Sequence, residues 1–401
     1  MSAFRLVLFD DDAREQFLPL AWTKPVADFR IGIFTIREKW EQRLKSESTT
    51  WTADYLSEIA PFAPDASKQH LWINGRVVPT GELAFEVLSL QPGEALIKGE
   101  LLIAVNAGHS IEPIQLHVKD HLGGDISVKD THTSVIVLQR IHDIFRHNGQ
   151  AIVEDFELVK TTEGGTLSTT NNIIGMHPVY AGNNIIAEAC IFNTTKGPIF
   201  IGDGAEIMEG SLLRGPLAIC AGATIKMGAK IYGDTTIGPG CKVGGEVSNS
   251  VFFANSNKAH DGFIGNSVIG EWCNLGADTN CSNLKNNYGE VSVWNYAIGG
   301  NENTGLQFHG VIMGDHAKCG INTMFNTGSV VGVSANIFGG GFPPKFIPDF
   351  AWGGVDGILE NELSKALETI DRVYARRKKK MEPAEIAMLK AVFKKTEKQR
   401  K

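Results

Sequence analysis

Small aliphatic residues recur at one fixed interval through the second half of the chain. Ile201, Ile207, Leu213, Ile219, Ile225, Ile231, Ile237 and Val243 follow one another every six residues without a miss. The same interval precedes this run at Ile173, Val179, Ile185 and Ile191, and returns at Ile269, Leu275 and Cys281 and from Met313 to Ile337. Six is neither the helical period nor the alternation of a single strand. It fits a solenoid of three short strands per eighteen-residue coil, with an aliphatic side chain filling each face and glycine or asparagine turning each corner. The period lapses from Ser248 to Phe263 and from Asn283 to His309, which predicts two outward loops on the working face.

The flanks follow other patterns. Arg5 to Asp10 predicts a buried strand ending in an acidic turn, Ile31 to Leu44 a helix, and Leu71–Ile73 and Ser134–Leu138 further strands. Strands mixed with helices predict an α/β domain over residues 1–160, leaving by an extended segment Asp155–Val159. A polar linker over 161–172 follows, then the solenoid over 173–345. A helical tail over 355–401 closes the chain, as helices Val355–Arg377 and Pro383–Lys395, the latter opened by its proline.

Composition narrows the function. Glycine supplies 44 of 401 residues, about 11% against a usual ~7%, in keeping with the many corners. The net charge is −7, divided as −12 before Val355 and +5 from there onward. An acidic body argues against nucleic acid as partner, and Arg376–Lys380 reads as the solvated face of a helix. No long apolar run predicts a membrane span, and Met1–Leu6 lacks the pattern of a secretory signal. The expectation is a soluble, cytoplasmic protein. Its six cysteines lack metal-like spacing and are expected as packed, free thiols.

One segment carries a family signature. His260-Asp261-Gly262-Phe263-Ile264-Gly265, continuing through Ile269-Gly270 to Asn274-Leu275-Gly276-Ala277, resembles the active-site coil of the glucosamine-1-phosphate acetyltransferase domain. That domain belongs to the bifunctional N-acetylglucosamine-1-phosphate uridylyltransferase family. The resemblance implies a left-handed parallel β-helix working as a homotrimer, with acetyl-CoA as donor and His260 as general base. It assigns the acceptor, a sugar-phosphate or nucleotide-sugar amine, to Asn274, Asn283 and Phe263. Phe263 stands where the family has a tyrosine, and Ser248 stands near the place of a sugar-binding lysine. Lys226 or Arg214 is left to hold the sugar phosphate.

The N-terminal half is similar, more faintly, to sugar nucleotidyltransferases, which are Rossmann-like; here the domain is shortened. Arg14 and Lys24 match positions that bind phosphates of a nucleoside triphosphate, with Mg2+ required if the domain is active. Against this, Asp10-Asp11-Asp12 replaces a glycine-rich loop, and Arg76 stands in place of the metal-binding aspartate. Two further readings stay open. One is a non-catalytic nucleotide-sugar sensor or scaffold on a degenerate fold. The other is a carbonic-anhydrase-like metal site, suggested by His309-Gly310 and His316, although Thr304 occupies the place of a third histidine.

Overall fold

The computed structural model describes residues 4–111, 126–159 and 164–400. They divide into two compact units. The first comprises residues 1–17, 24–29 and 34–139, and the second residues 18–23, 30–33 and 140–401. The division therefore falls near residue 139, and Asp155–Val159 is no exit strand. It is the end of helix α3 (Asn148–Val159), whose contacts are with the solenoid strands Leu217–Ile219 and Thr235–Ile237.

The first unit is built on a mixed sheet of β1 (Phe4–Phe9), β2 (Ser48–Trp51), β3 (Gln69–Asn74), β4 (Glu94–Lys98), β5 (Leu101–Asn106) and β6 (Ser127–Asp130). The order is β2-β1-β3-β5-β4-β6. β1 runs parallel to β2 and β3, while β5 runs antiparallel to β3 and β4. Leu6–Phe9 in β1 and Leu71–Ile73 in β3 are fully or almost fully buried. Continuous apolar runs of this kind mark a strand covered on both faces. The predicted helix opens later than its apolar spacing suggests, as α1 (Ile36–Leu44), because Thr35 and Glu38 form a reciprocal capping box. Helix α2 (Gly81–Leu88) follows β3.

The second unit is a three-faced parallel β-helix. Ile201, Ile219 and Ile237 stack on one face in consecutive coils, Ile207, Ile225 and Val243 on the next, and Leu213 and Ile231 on the third. All eight are at most 2% exposed and share one core. The glycines that follow Ile201 and Ile237 meet the next coil's backbone. A Cβ at Gly238 would overlap the carbonyl oxygen of Phe253, which is why glycine follows Ile237.

The first coils depart from strict hexads. Ala181 and Ala187, not Val179 and Ile185, stack beneath Ile201 and Ile207, and Phe192 rather than Ile191 stacks beneath Leu213. Extra corner residues between Asn193 and Ile199 shift the register there.

The two predicted loops part company. From Ser248 to Phe263 the coil is not interrupted but tightened. Strands Val251–Phe252, Asn257–Lys258 and Phe263–Gly265 pair in sequence with the coil before them. The later lapse is a true insertion. Ile269 pairs directly with Met313 and Cys281 with Phe325, and the excluded chain forms a hairpin of Ser292–Asn295 with Gly300–Asn303.

After the coils, Ala351–Gly354 and Gly357–Glu360 form an antiparallel hairpin on the end of the helix, so the first tail helix is shorter than predicted. It is α4 (Leu363–Ala375). The second, α5 (Pro383–Lys395), has the predicted bounds, with Glu382 and Glu385 closing a capping box ahead of Pro383. All six cysteines are free and buried. No helix among the described residues is long and apolar enough to cross a membrane.

Candidate functional site

His260 lies at the corner between strands Asn257–Lys258 and Phe263–Gly265, and its side chain is exposed. Phe263 opens the strand that follows this corner, and Asn283 lies by Asn266 at the other end of that strand. A Cβ on Gly265 would touch the Asn283 amide and the Phe263 ring alike, so glycine lets the two approach. Asn283 Nδ2 donates to Asn266 Oδ1 at 2.8 Å, and the Phe263 N–H donates to Asn280 Oδ1 at 2.8 Å. Lys226 occupies the same corner two coils earlier, its side chain against Gly244, whose next-coil neighbour is Ala259.

Two predicted acceptor residues lie elsewhere in the unit. Arg214 ends the strand Leu212–Arg214, on the face that carries Phe263 but several coils away, where it lines a 460 Å³ recess with Lys196 and Tyr232. Asn274 points outward from a different face, accepting a 2.8 Å hydrogen bond from Asn257 Nδ2.

The Asn274 face bears a feature that sequence reading missed. Asn257 and Asn274 floor a cleft of 540 Å³ walled by Lys242, Lys318, Arg376 and Arg377. No carboxylate is among the described lining residues. Trp272 holds the tail over the coil. Its indole packs on Tyr374 at 4.4 Å between centroids, with the Arg377 guanidinium at 5.9 Å and the Lys379 ammonium at 5.5 Å. The Lys318 ammonium donates to the His316 carbonyl at 2.8 Å, and burial holds it below the usual lysine range. The basic run read as a solvated helix face thus contributes two arginines to a cationic wall. Its sequence signals were that run and the +5 charge of the tail.

The first unit engages its predicted phosphate ligand internally. Arg14 pairs with Asp10 at 3.2 Å and donates to the Tyr55 hydroxyl at 2.9 Å. Asp10 also accepts from the Val26 N–H at 3.0 Å and from the Thr52 hydroxyl at 2.5 Å. Burial pushes its carboxyl up, while Arg14 and these donors oppose the shift. Asp11 accepts from Arg76 Nε at 2.7 Å and Asn74 Nδ2 at 2.9 Å. Lys24 is 8% exposed. Two carboxylates of the acidic turn are therefore committed to arginines. The described residues form no cluster of three His, Cys, Asp or Glu able to hold a metal.

No cluster among the described residues supports the carbonic-anhydrase reading. His309 is fully buried, edge-on to His142 and Phe145 at 5.8 and 5.3 Å, and burial lowers its imidazole to about 3. A ring so enclosed is part of the core.

Along the chain, a mixed α/β unit is followed by a parallel β-helix of hexapeptide repeats. Residues 6–163 match the family described as sugar nucleotidyl transferase. Among curated proteins the chain is 29% identical over 186 residues to the bifunctional protein GlmU of Methanococcus aeolicus, covering 46% of this chain and 39% of that one. It is 33% identical over 147 residues to a bifunctional sugar-1-phosphate nucleotidylyltransferase/acetyltransferase of Sulfurisphaera tokodaii, covering 36% of each. GlmU of Clostridium kluyveri is 25% identical over 251 residues, 60% of this chain and 51% of that one. The chain is thus GlmU-like, and spans between about a third and a half of the length of these relatives.

Proposed function

We propose that the β-helix transfers an acetyl group from acetyl-CoA to the amine of a sugar-1-phosphate or nucleotide sugar in the cytoplasm, with His260 as base. The observation that carries this reading is an exposed histidine at a coil corner, with Phe263 opening the strand that follows it. The amine attacks the thioester carbonyl, His260 accepts its proton, the C–S bond breaks, and the departing thiolate of coenzyme A takes that proton to leave as the thiol. Lys226 is the cation on that corner suited to the acceptor's phosphate. The cationic cleft, with Lys242, Arg376 and Arg377, suits the donor's phosphates, which turns Asn274 toward donor rather than acceptor.

The test is thioester turnover with a panel of amino-sugar phosphates and nucleotide sugars. Arg376→Glu with Arg377→Glu should raise the KM for acetyl-CoA by about 10-fold or more at similar kcat, the value of a lost charged hydrogen bond. An unchanged KM would refute the donor assignment.

For the first unit, we propose a nucleotide-sugar or nucleoside-triphosphate binding role, with Lys24 beside the ligand. The Asp10–Arg14 and Asp11–Arg76 pairs favour binding without transfer, the sensor-like reading, for this unit alone. Titration calorimetry with UDP-N-acetylglucosamine, run beside the turnover assay, separates the two. The assembly we propose is a homotrimer near 130 kDa, and light scattering showing a monomer at micromolar concentration would exclude it.

A further inference from the structure

The tightened coil hides a charge at a position where its neighbours are aliphatic. Lys258 pairs with Val243 on the inward-facing register, in the stack that continues through Leu275, and is 1% exposed. Its ammonium reaches up to the corner and donates to three backbone carbonyls, of Gly244 at 3.0 Å, His260 at 2.6 Å and Asp261 at 3.1 Å. Gly245, at φ +71°, keeps the space clear, because a Cβ there would stand 3.0 Å from Nζ.

A buried lysine is costly unless its hydrogens are all placed, and here three donors meet three acceptors. An aliphatic residue would fill the stack more cheaply. What lysine adds is a fixed geometry for the turn that presents His260. We infer that Lys258 is a positioning residue, clamping the His260 and Asp261 carbonyls from inside the coil so that the imidazole is held in one orientation. The inference rests on His260 being the base, but its geometry does not.

The clamp depends on charge, since a neutral amine has two hydrogens for three carbonyls. Burial lowers the Lys258 ammonium to about 8, opposed by Asp261 and Asp278 and by the thiol of Cys319 where ionised. The clamp is complete below that pH and loosens as pH rises through it.

The experiment compares wild type with Lys258→Met, which suits an apolar stack. His260 ring signals, assigned with His260→Gln, are followed by NMR from pH 6 to 9.5. In wild type the His260 signal should show an inflection near pH 8, and in Lys258→Met that inflection should vanish. Acetyl transfer in Lys258→Met should fall about 10- to 100-fold in kcat at pH 7, with a smaller change in acceptor KM and an unaltered melting temperature. A His260 signal flat near pH 8 in wild type overturns the inference even where the variant does not fold, and so does a folded Lys258→Met with full kcat. A shifted signal in a protein without acetyl transfer upholds the clamp and refutes the proposed function instead.

Discussion

Replacing His260 by alanine is expected to lower acetyl transfer by roughly 10²–10⁴-fold, the usual contribution of a general base. An amine nucleophile must reach the thioester uncharged and shed a proton as the tetrahedral intermediate forms. An imidazole is the side chain whose ordinary pKa allows it to accept that proton near neutrality. The melting temperature should change little. The side chain is exposed, and the strands on either side are held by backbone pairing to the preceding coil rather than by the ring. His260→Gln should lose as much activity, because the amide keeps the shape and polarity but cannot take the proton. A variant retaining more than a tenth of wild-type kcat would end the assignment. Loss of folding would make the residue structural.

The second large effect is structural, at Gly238. A methyl group there overlaps the carbonyl oxygen of Phe253 in the next coil. Neither partner can move aside, because Gly238 N–H is bonded to the Phe252 carbonyl at 3.0 Å and Phe253 N–H to the Ile269 carbonyl at 2.9 Å. Gly238→Ala should therefore cost at least ~3 kcal/mol, in the range of strained or overpacked interiors. Urea titration followed by circular dichroism measures it. By contrast, Gly222→Ala at a corner meets open space and, with φ +62°, should cost only about 1 kcal/mol for the left-handed backbone. Equal losses at the two sites would show that coil-to-coil contact is not what fixes glycine at 238.

The eight aliphatic positions from Ile201 to Val243 were legible because a solenoid repeats one local environment, and one interior side chain per face must fill it. Phe263 and Asn283 were legible as neighbours because they lie little more than one coil apart, so short sequence separation and spatial proximity coincide. Helix α5 was legible because Pro383 opens it locally.

Other features depended on residues far apart in the chain. Phe192 and Ala187 took the interior places of Ile191 and Ile185 because register is set by pairing with the neighbouring coil, not by counting from within one. Asn274 looked like a partner of His260, yet fourteen residues further along the coil it faces another side of the prism, beside arginines of the tail. The acidic turn read only as a departure from a glycine-rich loop, and the structure shows Arg14 and Arg76, the second of them distant in sequence, holding Asp10 and Asp11. Lys258 read as a polar residue in a loop, since no local pattern tells an inward lysine from an outward one. Sequence by itself determined the repeat, the two-part layout and the histidine at the corner, because each is written in local spacing. Only the tertiary structure decided which charges are already paired and which remain for a ligand, because ion pairs and clefts form between coils and segments whose separation along the chain carries no signal.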